Sequence, residues 1–142
     1  MAVVTESRYS TSIHPLHAAL LAGTVPLFLG AALSDVAYAF TYEIQWTNFA
    51  SWLIAAGLIP GAIALVFAVV DASRPKRRAP GIAIYLILVA TMWVVGLFNA
   101  LLHARDAWGS MPAGLLLSIF GAALAGAATW FGFATPRIRR LQ

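Results

Sequence analysis

Residues 44–70 read IQWTNFASWLIAAGLIPGAIALVFAVV, twenty-seven positions without a formal charge. About 20 apolar residues in succession cross the hydrocarbon of a bilayer as a helix, so this stretch alone points to a membrane protein. Three more uncharged runs, 9–34, 79–104 and 107–136, accompany it, and the four together take up 109 of 142 residues. Charged residues are 10% of the chain and mean hydropathy is +0.84, where a soluble domain is about a quarter charged. That arithmetic excludes a soluble enzyme, an extracellular disulfide scaffold and a disordered tail. Cysteine is absent, which removes disulfides, thiolate metal sites, iron–sulfur ligation, c-type haem attachment and cysteine nucleophiles.

Backbone amides in hydrocarbon must pair within their own segment. The chain is therefore expected to be one all-α domain over 1–142, an integral membrane four-helix bundle with helices at about 15–40, 49–70, 82–103 and 113–134. Arg8, Arg74, Lys76, Arg77, Arg78, Arg137, Arg139 and Arg140 fall on one side of these spans, and Arg105 alone on the other. Such a bias marks the cytoplasmic face, so both termini are expected inside, in a bacterial inner membrane. The basic surplus is then a topology signal and a grip on anionic lipid heads, not a nucleic-acid footprint. Ala37-Tyr38-Ala39 imitates a signal-peptide cleavage site, but the preceding apolar stretch is too long, and a retained helix is expected.

Polar groups at membrane depth are costly and mark candidate sites. An inner set comprises His14 and His17, three apart on one helical face, with Asp71 at the end of the second span. They could ligate a metal or an iron porphyrin, or cap the helix, with Ser12 as N-cap and Pro15 at N1. No other histidine lies on that side. The outer set is Asp35, Tyr38, Glu43, Trp46 and Asn48 around the first outer loop, with Asn99, His103, Arg105, Asp106 and Trp108 at the end of the third span. Asn99, His103 and Asp106 share a stripe at i, i+4, i+7. If that stripe faces the first helix, Asp35 and His103 pair, the carboxylate fixing one imidazole tautomer. Such a pair could lock two helices, form a partner-docking surface, handle a proton at a quinone headgroup, or hold haem or a divalent metal with Glu43 or Asp106. One histidine among scattered carboxylates is a weak metal signal, and no metal site is assigned. The fourth span carries Gly114, Ser118, Ala122 and Gly126 at four-residue spacing, a ladder that permits close helix approach. Phosphate-binding loops, a nucleophile elbow and a His-Glu-x-x-His helix are missing, and no catalytic residue is assigned.

The motifs Ser34-Asp35-Val36-Ala37-Tyr38, Thr41-Tyr42-Glu43-Ile44-Gln45-Trp46-Thr47-Asn48-Phe49 and Trp52-Leu53-Ile54-Ala55-Ala56-Gly57-Leu58, with Phe98-Asn99-Ala100-Leu101-Leu102-His103-Ala104-Arg105-Asp106-Ala107-Trp108, resemble the small bacterial four-helix membrane proteins grouped as domain of unknown function 2231. The resemblance covers about residues 13–133, from His14-Pro15-Leu16 onward. It implies a setting beside redox proteins, since relatives are sometimes joined to Rieske-type domains or found beside quinoprotein sugar dehydrogenases. Many relatives carry a histidine where this chain has Tyr85, and end the fourth helix differently from Thr129-Trp130-Phe131-Gly132-Phe133. The expectation is a non-catalytic accessory subunit packing against other membrane subunits of a respiratory or photosynthetic electron-transfer complex. A small redox protein holding haem b or quinone through His14, His17 or His103 is the alternative, and an oligomeric transporter ranks last.

Overall fold

The computed structural model describes residues 13–73, 81–105 and 107–134. Ser12, Asp106 and the basic residues of the tails and of the middle loop lie outside the described residues. Helices α1 (Pro15–Thr41), α2 (Ile44–Ser73), α3 (Ile82–His103) and α5 (Ala113–Ala134) are each long and apolar enough to cross a membrane, and a single turn, α4 (Ala107–Ser110), precedes the last. Helices α3 and α5 occupy the expected bounds. The second helix differs, beginning at Ile44 rather than 49 and running to Ser73. The cause is the tightness of its connection to α1. Tyr42 adopts a left-handed conformation (φ 58°) and donates its N–H to the Tyr38 carbonyl at 2.8 Å, while Thr41 Oγ1 accepts the Glu43 N–H at 3.3 Å. These contacts close α1 and start α2 within two residues, so Gln45, Trp46 and Asn48 stand on helix rather than in a loop.

The buried positions share one rhythm. They are 17, 21, 24, 28, 31, 35 and 38 on α1, where Ala32 and Ser34 are also buried beside the stripe, 47, 50, 54, 57, 61, 64 and 68 on α2, 82, 85, 89, 92, 96, 99 and 103 on α3, and 114, 118, 121, 125, 128 and 132 on α5. Alternating steps of four and three average 3.5 residues, the repeat of a left-handed coiled bundle with knobs set into holes. The four-residue ladder on α5 is corrected by this rhythm. Gly114 and Ser118 are buried, but Ala122 is half-buried and Gly126 exposed, because steps of four rotate about 40° further than the helical repeat each time. The small face that enters the bundle continues instead through Gly121, Ala125, Ala128 and Gly132.

Helix α1 packs on α2 and α5, and so does α3, leaving α1 opposite α3 and α2 opposite α5. Side-chain size follows the diagonals. Large groups come from α1 and α3 (Leu21, Phe28, Tyr85, Met92), whereas α2 and α5 supply mainly glycine, alanine and serine. Lipid tails are as apolar as leucine, so such helices gain from close approach and van der Waals contact rather than from burial as such. Phe28 marks the centre. A Cβ on Gly57 would stand 3.2 Å from its ring, one on Gly96 2.9 Å and one on Gly121 3.7 Å, so three helices each offer it a glycine.

Candidate functional site

Asp35 and His103 occupy interior positions of diagonally opposed helices near the end that carries the α1–α2 turn. The expected stripe does face α1. His103 Nε2 stands 2.9 Å from Asp35 Oδ1, with both side chains fully buried. Ser118 of α5 donates its hydroxyl to Asp35 Oδ2 at 2.5 Å, and Asn99 Nδ2 donates to Ser118 Oγ at 2.8 Å. The second imidazole nitrogen, Nδ1, lies 3.0 Å from the Asn99 carbonyl oxygen. A carbonyl can only accept, so Nδ1 carries a hydrogen. Ser118 supplies the hydrogen of the other carboxylate bond, which leaves one proton on the Oδ1···Nε2 line. Whichever atom holds it, the pair is net neutral, the condition under which two ionisable groups can sit at this depth.

Gly114 closes the site from α5, since a Cβ there would fall 2.8 Å from His103 Cε1. Among the described residues, two buried side-chain oxygens have no partner, Asn99 Oδ1 and Thr47 Oγ1. Tyr38 is buried one helical turn beyond Asp35 on α1. The rest of the outer set separates from this core. Glu43, Trp46, Asn48 and Arg105 are exposed, and Trp108 lies on α4. The site is therefore two things, an enclosed tie and an exposed rim with Phe40, Tyr42, Phe49 and Trp52 around it. Among the described residues no three histidine, aspartate or glutamate side chains gather as a metal-binding group.

The inner set is likewise divided. His14 is exposed and His17 buried, both rings stacking on Phe67 of α2 at 6.1 and 5.0 Å between centroids, and Asp71 is half-buried. His17 Nε2 lies 2.6 Å from the Tyr85 hydroxyl of α3. Tyr85, first noted only as a departure from relatives, is thus the partner of His17. Gly132 closes this second tie, because a Cβ there would come within 2.9 Å of Tyr85 Cε2 and closer still to Leu21 Cδ2. The missed roles are those of Ser118, Tyr85 and Gly132. A signal for Tyr85 alone was present, since 17 to 85 and 35 to 103 are the same interval between two polar pairs.

The family profile described as "Predicted membrane protein (DUF2231)" matches residues 13–135. No curated protein and no solved structure matches the chain.

Proposed function

We propose that this chain, which belongs to the DUF2231 family of predicted membrane proteins, is a non-catalytic accessory subunit of a larger membrane assembly. One observation carries the reading: both buried imidazoles are engaged in ties across the bundle, with a glycine of α5 against each tie. That leaves the exposed rim of Glu43, Trp46, Asn48 and Arg105, with its surrounding aromatics, as the surface for another subunit. The polar ties support a rigid scaffold rather than a transport path. The basic residues of the tails and middle loop favour an orientation with both termini cytoplasmic, in a bacterial inner membrane, and the rim then faces outward. A respiratory or photosynthetic electron-transfer complex is the partner that the family resemblance favours.

The test is extraction in a mild detergent followed by native electrophoresis and absorption spectroscopy. A band well above the chain's own mass, lost on Trp46→Ala with Arg105→Ala, is expected. Migration only as a monomer or homo-oligomer overturns the accessory reading. A Soret band in the purified chain would replace it with the haem b alternative. Quinone reactivity abolished by His103→Ala would replace it with the quinone one.

A further inference from the structure

Helices α2 and α3 leave a groove of about 380 Å³ on the outside of the bundle, lined by Ala62, Leu65, Val66, Val69 and Val70 of α2 and by Trp93 of α3. Five of these six side chains are aliphatic and form no hydrogen bond. The sixth has its donor committed elsewhere, since Trp93 Nε1 gives its hydrogen to the Leu58 carbonyl at 3.2 Å. A polar group inside the groove would go unpaired at a cost, so its occupant enters as hydrocarbon alone. We infer that the occupant is one acyl chain of an anionic phospholipid, drawn from the leaflet at the α2–α3 end of the bundle.

Depth and length fit such a chain. Trp93 marks the deep end, in the middle of α3, and a Cβ on Gly61 would stand 3.5 Å from its Cδ1. Val70 marks the other end, close in sequence to Phe67, on which the His17 ring stacks at 5.0 Å between centroids. That end therefore lies at the level of the His17–Tyr85 tie. From Ala62 to Val70 the helix rises about 12 Å, against about 15 Å for the hydrocarbon of one leaflet. The groove spans one leaflet and opens toward the connection between α2 and α3. A second helix, about 10 Å across, needs more room than this over the same length. Lipid tails gain nothing from burial as such against apolar walls, so the chain is held by van der Waals contact.

Charge complementarity selects the headgroup. The chain leaves α2 at Ser73 and begins α3 after Gly81, and Arg74, Lys76, Arg77 and Arg78 fall between them in the sequence. None of the four is more than four residues from Ser73 or Gly81, which is about 14 Å of fully extended chain. Four cations are thus tethered to the two helices that form the groove, at the end where it opens. Asp71, half-buried, is the one acidic residue between 65 and 90. A phosphate at the mouth meets this surplus, and basic clusters at a membrane face favour anionic lipid heads. An isoprenoid quinone would suit the walls equally, but its carbonyls find no donor in the groove and its head carries no charge to match.

Native mass spectrometry of the full chain, extracted in mild detergent from vesicles of equal phosphatidylglycerol and phosphatidylcholine, tests the site. One phosphatidylglycerol per chain is expected to stay bound, at least tenfold over phosphatidylcholine. Val66→Trp fills the groove from a position 62% exposed and is expected to release that lipid, as is Ala62→Phe. Lys76→Gln with Arg77→Gln and Arg78→Gln is expected to leave a lipid bound and abolish the preference between headgroups. The inference is overturned if no lipid is retained, if the two headgroups are retained equally, if retention is unchanged in Val66→Trp, or if an added isoprenoid quinone displaces the lipid. A preference that survives the charge variant overturns it too, even where a groove variant does not fold.

Discussion

Asp35 and His103 join α1 to α3 across the diagonal of the bundle, 68 positions apart in the chain, and the same interval joins His17 to Tyr85. Equal intervals arise because α1 and α3 run parallel and keep one register over the eighteen residues between the ties. At about 1.5 Å per residue the ties are about 27 Å apart, close to the ~30 Å thickness of bilayer hydrocarbon. Each therefore lies near one face of the hydrocarbon, and between them the buried side chains among the described residues are apolar except for Thr24 and Ser34, whose hydroxyls donate back to the Leu21 and Gly30 carbonyls, and the Ser118–Asn99 extension of the first tie.

The Asp35–His103 tie is expected to exceed the ~0.6 kcal/mol average for hydrogen bonds between membrane helices, because both partners are ionisable and both are buried. Asp35→Leu and His103→Leu should each lower stability by about 2 kcal/mol, and the double variant by less than their sum, since the survivor of a single change is left unpaired. Unfolding in mixed micelles checks this. Strict additivity would show that the contact carries no coupling.

Glycines on α5 are expected to differ sharply in their tolerance of a methyl group. Gly114→Ala drives a Cβ against a His103 ring held at both nitrogens, and a loss of about 1–3 kcal/mol is expected for such overpacking. Gly126→Ala meets nothing within 4 Å and should be neutral or stabilising by up to ~1 kcal/mol through helix propensity. Thermal scans of the two variants decide the matter. Equal responses would refute the assigned interior face.

Tyr85→Phe keeps the ring and deletes the hydroxyl that faces His17 Nε2. A loss of about 1 kcal/mol is expected, the usual worth of a buried hydrogen bond, with no change of oligomeric state. Chemical denaturation alongside size-exclusion chromatography measures both.

At the α1–α2 turn, Tyr42 holds a positive φ that β-branched residues resist. Tyr42→Val should cost about 1–2 kcal/mol, whereas Tyr42→Gly is relieved of that strain and should be the more stable of the two. A reversed order in melting temperature would locate the turn's stability elsewhere.

The pairing of Asp35 with His103 was legible in the chain, because a carboxylate and an imidazole at the ends of two apolar runs have few other partners. Ser118 was visible only as a small residue in a ladder, and Tyr85 only as a departure from relatives. Their hydrogen-bonding roles depend on which helices stand opposite each other, and spacing within one helix carries no information about that. The ladder failed past Ser118 for a related reason. A four-residue count holds a face for two turns, but the supercoil selects the 3.5-residue face over six.

By itself, the sequence determined that four helices cross a membrane and roughly where each begins, because hydrocarbon excludes charge and leaves backbone amides no partner outside a helix. Tertiary structure decided which polar groups meet and which small residues lie inside. In this bundle one diagonal carries large side chains and the other small ones, and only packing assigns α1 and α3 to the first, placing Asp35 against His103 and His17 against Tyr85, with a glycine of α5 beside each.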